Sequence, residues 1–179
     1  FGMISDFWYK NNCSVLYVEQ RGQNNSSGEY MGFGLTERFD CLDWLNWEIE
    51  RCGSDIPVYL AGVSMGATTV LMAAGLQLPP NVHGIMADCG FTSANAIWEH
   101  IAKDNLHIRF GIRSAIADRM CRRKIQVGSK EHSTVEALKH THVPVILVHG
   151  ADDHFVPVEM TYENYTACTA PKDLLIVPG

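Results

Sequence analysis

Pro57-Val58-Tyr59-Leu60-Ala61-Gly62-Val63-Ser64-Met65-Gly66-Ala67-Thr68-Thr69-Val70-Leu71 decides how the rest of this 179-residue chain is read. Pro57 to Val63 is a short β-rich apolar run, and Ser64 to Leu76 is a continuous stretch of small and apolar residues that predicts a helix. Between them stands Gly62-Val63-Ser64-Met65-Gly66, the Gly-x-Ser-x-Gly form, in the strand-to-helix context that gives the motif its meaning. In such an elbow the chain reverses so tightly that the serine sits on a strained backbone. Side chains at Gly62 and Gly66 are both expected to collide with the neighbouring strand or helix. Ser64 is thereby presented at the carboxyl edge of a sheet, and the helix that opens there aims its N–H groups and positive dipole end at the same spot. The N–H of Met65 is the expected oxyanion donor. A glycine-flanked serine that merely caps a helix is the plainer alternative, and the strand-to-helix context argues against it.

Outward from the elbow, apolar β-rich runs alternate with helical patterns, the order of a parallel sheet covered by helices. An amphipathic stretch from Phe1 to Lys10 precedes a predicted strand, Ser14 to Val18. Glu19 to Gly34 carries glycines among Asn and Ser and reads as a loop. Leu35, Phe39, Leu42, Leu45, Ile49 and Cys52 then recur at helical spacing until Gly53. Val82 to Ala87 is the next strand. Phe91 to His142 is helical without strands, including a segment where Ser133 and Glu136 have capping-box spacing, and it reads as an inserted lid, residues 91–142. Val143 to His149 is a strand ending in the loop Gly150 to Pro157, followed by a helix through about Cys168 and a last strand, Asp173 to Val177.

Composition bounds the function. The chain is long enough for one domain, and its 46% apolar and 19% charged residues, without an apolar run of roughly 18, set aside disordered and membrane-spanning classes. A net charge of -6 is the wrong sign for a protein whose main work is holding a phosphate backbone, so nucleic acid is not an expected partner. The six cysteines form no Cys-x-x-Cys pair and are expected to be reduced, which suggests a cytoplasmic protein.

At the elbow the sequence resembles the α/β-hydrolase superfamily, in particular bacterial serine hydrolases of the serine-aminopeptidase and lysophospholipase-like type, and the resemblance spans the whole chain. It extends to Glu19-Gln20-Arg21-Gly22, similar to an Asp-x-Arg-Gly loop, to Ala87-Asp88-Cys89, and to His149-Gly150-Ala151-Asp152-Asp153-His154-Phe155-Val156-Pro157. Glu19 for Asp and Asn24 for a usual glycine are departures. The resemblance implies a single α/β domain with a mostly parallel, doubly wound sheet and a helical lid. It implies a Ser-His-Asp mechanism in which Ser64 is the nucleophile, Met65 supplies an oxyanion donor, and Asp153 is the acid, with Asp152 as runner-up. No metal or organic cofactor is required, and the expected partner is a small acyl substrate carrying an ester, thioester or amide bond.

The base is the difficulty. After Asp153 the sequence offers only His154, adjacent to the acid and unable to bridge to Ser64. The resemblance implies a histidine just past the last strand, beyond Gly179, and a second oxyanion donor and an interior strand before Phe1. The 179 residues are therefore expected to be the middle and later part of a larger hydrolase, inactive alone, with an unfilled slot between Ser14–Val18 and the nucleophile strand. A non-catalytic binding or scaffold protein of the same fold is the alternative.

Two other clusters invite readings. His140, His142, His149, Asp152, Asp153 and His154 fit no zinc spacing. His83, His100, His107 and His132 read as surface or edge residues. Residues 93–124 hold half of the fourteen basic side chains and carry +4, against -10 for the remainder. Such a segment attracts an anionic acyl substrate or an acidic membrane surface, and a solvated helix face explains it at least as well.

Overall fold

The computed structural model describes residues 2–178; Phe1 and Gly179, the two ends of the sequence reading, lie outside the described residues. The elements are α1 (Gly2–Lys10), α2 (Glu37–Cys52), β1 (Val58–Val63), α3 (Met65–Ala73), β2 (Val82–Asp88), α4 (Ala94–His100), a π-helical turn (Ile101–Asn105), α5 (Gly111–Ile125), α6 (Thr134–Leu138), β3 (Val145–Gly150), α7 (Val158–Ala167) and β4 (Lys172–Val177). The four strands form one parallel sheet in the order β1-β2-β3-β4. Consecutive parallel neighbours joined by right-handed crossovers put the connecting helices on one face. The contacts agree, since α3 packs on β1 and β2, α6 on α3, and α7 on α6, β3 and β4, with α2 outside α3.

The reason lies in the residues. Val, Ile and Leu fill β1 to β4 at alternating positions. One row, including Ile85, Ala87, Val145 and Leu147, is buried against Ala67, Val70 and Leu71 of α3, Ala74 at its C-cap and Leu138 of α6. Small residues on α3 let that helix lie close to the sheet, and Gly75 meets Ala137 of α6 so closely that a Cβ would stand 2.8 Å from its methyl. The capping geometry expected at Ser133 is present: its Oγ accepts from the Glu136 N–H at 3.1 Å. The segment between β2 and β3 holds helices joined by loops and no strand, but α6 belongs to the main helical layer while α4 and α5 lie beyond it.

One strand of the sequence reading is absent. Ser14–Val18 is in no strand, and Leu16 and Val18 are 45% and 41% exposed. Strand propensity is realised only where a partner ladder exists. β1, the strand from which an unfilled slot was expected to separate it, pairs on its β2 side alone among the described strands. The loop that follows is nevertheless well tied. Arg21 pairs with both carboxylate oxygens of Asp40 on α2, its Nε donating at 2.5 Å, and the Gln20 amide donates to Thr69 Oγ1 on α3 at 2.7 Å. Asn24 adopts φ 45°, the left-handed conformation for which glycine is the usual residue. The buried Glu37 carboxylate accepts the N–H groups of Gly32 at 2.5 Å and Gly34 at 2.9 Å, closing the turn into α2. No described helix is long and apolar enough to cross a membrane.

The two elbow glycines are not equivalent. A Cβ on Gly62 would stand 2.3 Å from the carbonyl carbon and oxygen of Gly66 and 2.6 Å from Ala67 N, whereas a Cβ on Gly66 meets nothing within 4 Å. The expectation of a collision at both positions is corrected at Gly66: close approach runs from Gly62 to the backbone of Gly66, not the reverse. Gly62→Ala is therefore expected to destabilise by about 3 kcal/mol or more, because backbone rather than a movable side chain stands in the way. Gly66→Ala is expected to stay within about 1 kcal/mol of the parent. Urea unfolding of the two variants checks the asymmetry, and equal losses would contradict it.

Candidate active site

Three strand ends and the loops after them make the site. Ser64 follows β1 directly with φ 53° and ψ -115°, a conformation that β-carbon-bearing residues adopt only when the surroundings impose it. It is pinned on both sides: its N–H donates to the carbonyl of Asp88 at 2.8 Å, and its own carbonyl accepts from Thr68 N at 3.0 Å. The Met65 N–H belongs to the first turn of α3, where N–H groups lack intrahelical acceptors.

β2 ends beside it. Val63 is in register with Asp88, and Asp88 with Val148, so the ends of β1, β2 and β3 stand in a row. Cys89 then turns with φ 47°, its N–H donating to Val148 O at 2.9 Å. Burial pushes the Cys89 thiol up, Asp88 and Asp153 push it further, and the Ser64 backbone N–H opposes them. The sulfur is thus held as a thiol beside the elbow. Gly90–Thr92 is locked by buried polar side chains: Thr68 Oγ1 accepts from Phe91 N at 2.9 Å and donates to Phe91 O at 3.1 Å. Asn164 Nδ2 donates to Gly90 O at 3.4 Å, and Thr134 Oγ1 donates to Asn164 Oδ1 at 2.5 Å.

The loop after β3 carries the acids. Asp153 Oδ1 accepts the N–H groups of Phe155 at 2.8 Å and Val156 at 2.9 Å, an Asx-type turn that fixes the carboxylate, and Oδ2 lies 3.4 Å from His149 Nε2. Asp152 is exposed, with no hydrogen bond among the described residues. His149 is fully buried. Its Nε2 donates to Val156 O at 2.8 Å and its Nδ1 is hydrogen-bonded to Thr161 Oγ1 at 2.6 Å, so both nitrogens are engaged in holding the loop to α7 and neither reaches Ser64. The structure brings Ser64, Met65 and Asp153 to one sheet edge, with Cys89 between the elbow and the acid loop. No hydrogen bond joins Ser64 Oγ to a histidine among the described residues.

Several contributors were not legible beforehand. Phe33, held at φ 54°, packs edge-on against Trp98 of α4 with ring centroids 5.2 Å apart and lies 6.2 Å from Phe91; Met65, Ile97 and Val156 join this cluster. It forms an apolar wall at the elbow. His100, read as a surface residue, links α4 to the acid loop: Nε2 stands 3.2 Å from His154 O and Nδ1 2.9 Å from Asp104 Oδ2. A cleft of about 540 Å³ opens there, lined by His100, Asp104, Asp153, His154 and Glu159; Ser64 does not line it. No set of three or more His, Cys, Asp or Glu side chains is arranged to hold a metal among the described residues.

Comparison with solved structures decides the fold. An esterase from Pyrococcus furiosus superposes with a TM-score of 0.68 at 17% identity, over 98% of this chain and 66% of the esterase. This chain has the α/β-hydrolase fold. Acetyl xylan esterase 1 from Thermoanaerobacterium sp. gives a TM-score of 0.66 at 17% identity over 89% of this chain and 58% of its own. The acylaminoacyl peptidase of Pyrococcus horikoshii gives 0.62 at 16% over 89% and 26%. In sequence, the uncharacterized protein YqkD of Bacillus subtilis is 24% identical over 163 residues, 91% of this chain. The chain spans about half, 53%, of the length of that curated relative. No family model matches the sequence.

Within this α/β-hydrolase fold, Asp88 is the electrostatic weak point. Burial is the main cause that raises its carboxyl above the usual range, repulsion from Asp153 adds to it, and His149 partly offsets both. An unfolded Asp titrates near ~3.9. Because the folded value is higher, the protonated form favours folding below about pH 4, and that contribution is lost as pH rises through the folded value. Asp88→Asn is therefore expected to melt above the parent at neutral pH, with the difference vanishing below about pH 4. Thermal scans across that range check it; a variant with no gain at neutral pH would contradict a strained carboxylate.

Proposed function

We propose that this chain carries the nucleophile and the acid of a serine hydrolase acting on a carboxylic ester or related acyl bond. The observation that carries the reading is Ser64 itself, held at φ 53° by the Gly62 contact and two backbone hydrogen bonds at the C-terminal edge of a parallel sheet. A scaffold protein has no use for that strain, whereas a nucleophile needs its oxygen lifted clear of the sheet and close to helix N–H groups. The esterases and the acylaminoacyl peptidase among the structural neighbours support the same reaction class.

In the proposed reaction, Ser64 Oγ attacks the acyl carbonyl as a histidine base takes its proton. The Met65 N–H stabilises the oxyanion, and Asp153 orients the base and balances its positive charge. The intermediate collapses with the proton passing to the leaving group, and water then releases the acyl group from Ser64 by the same steps. The base is proposed to be a histidine outside the described residues. Residues 91–142 are proposed to shape the substrate entrance, α4 contributing Trp98 and Ile97 to the apolar wall beside Met65. That wall favours an acyl group with hydrocarbon character. Cys89 is a poor rival nucleophile, because its surroundings disfavour the thiolate.

Hydrolysis of a short-chain p-nitrophenyl ester by the full-length protein tests this. Ser64→Ala is expected to lower kcat by about six orders of magnitude and Asp153→Asn by about four, with Asp152→Asn near the parent. Full activity in Ser64→Ala would overturn the assignment, and a larger loss in Asp152→Asn than in Asp153→Asn would move the acid.

A further inference from the structure

The outward face of α5 runs against the usual rule for a surface helix. Ile112, Ile116 and Met120 recur every four residues and are 84%, 55% and 59% exposed, with Leu106 at 60% just ahead of the helix. At 1.5 Å rise per residue this is an apolar ridge about 12 Å long. Amphipathic helices turn such a ridge inward. Here the inward side is instead held by Ser114, buried and donating to Asn95 Oδ1 at 2.8 Å, so the orientation is fixed and the ridge faces water.

The cations on the same helix complete the pattern. Helical spacing puts Arg119 and Arg123 on the ridge face, and neither has a hydrogen bond or ion pair among the described residues. Arg122 is engaged by Asp118 and Glu131, Arg113 donates to Arg109 O at 2.6 Å, and Lys124 donates to Tyr30 OH at 2.6 Å. Residues 93–124 carry +4 in a chain that is otherwise acidic. A solvated face accounts for the arginines but leaves three large apolar side chains in water without a reason.

We propose that the outward face of α5 docks on an anionic lipid bilayer surface. Charge complementarity selects this occupant: a bilayer with acidic headgroups offers phosphates to Arg119 and Arg123 in one plane and acyl depth to Ile112, Ile116 and Met120 just below it. A second copy of the same face would set arginine against arginine. A nucleic acid would satisfy the charges and leave the ridge wet. Docking here does not require that Ser64 be a nucleophile, and the two readings fail separately.

Partition of the purified protein onto vesicles tests the proposal, comparing pure phosphatidylcholine with the same lipid containing about one-third phosphatidylglycerol. Binding is expected to the anionic vesicles and to weaken with salt. Arg119→Ala with Arg123→Ala is expected to lower the partition coefficient by about 25-fold, each arginine contributing about fivefold. Ile112→Ser with Ile116→Ser is expected to lower it by at least about tenfold. All four side chains are exposed, so far-UV circular dichroism should be unchanged, and Arg51→Ala with Lys139→Ala should leave partition as it is. Equal binding to both lipid compositions, no binding, or binding that survives the isoleucine pair would overturn the proposal. Self-association lost in the isoleucine pair would assign the face to a second copy instead.

Discussion

The tightest approach to backbone at any described glycine is that of Gly62 to Gly66 and Ala67. A Cβ at Gly62 would stand 2.3 Å from main-chain atoms that cannot swing away, so only glycine lets α3 start directly on top of β1. That contact forces the turn in which Ser64 takes φ 53°, and the turn lays α3 across β1 and β2. The small residues of α3 then set the depth of the core against β2 and β3 and the packing of α6. The same contact thus determines the geometry of a candidate nucleophile and the thickness of the helix-sheet interface.

From that point the parallel register does the positioning. Val63, Asp88 and Val148 stand side by side, so the chain leaves β1, β2 and β3 at one edge, and each exit is stiffened differently. Ser64 is held by strain, Cys89 by a positive φ and the buried Thr68, Thr134 and Asn164 side chains beneath it, and Asp153 by two backbone N–H groups and the buried His149. Crowding carboxylates there has an electrostatic consequence. Asp88 is raised by burial and by Asp153, and the Cys89 thiol is raised with it, leaving Ser64 as the group at this edge that a base could activate.

Much of this was legible because local rules and tertiary packing agree. Strand-elbow-helix, the later strands β2 to β4 and the capping serine at Ser133 all announce themselves through period, spacing or turn chemistry. Ser14–Val18 misled for a physical reason: its residues favour a strand, but strand formation needs a neighbour, and the described sheet supplies none on that side of β1. Gly66 misled because the motif treats two glycines alike while only one faces backbone. The aromatic wall of Phe33, Phe91 and Trp98 and the His100 link to the acid loop could not be read, since they join residues far apart in sequence whose meeting depends on where α4 settles.

The elbow is proposed to make Ser64 reactive. Treating the full-length protein with a fluorophosphonate ester and mapping the adduct by peptide mass spectrometry tests it most directly, because phosphonylation requires both an activated serine oxygen and a formed oxyanion site. A single adduct on the peptide bearing Ser64, absent in Ser64→Ala, is the predicted result. No adduct, or one that persists in Ser64→Ala, would contradict the account.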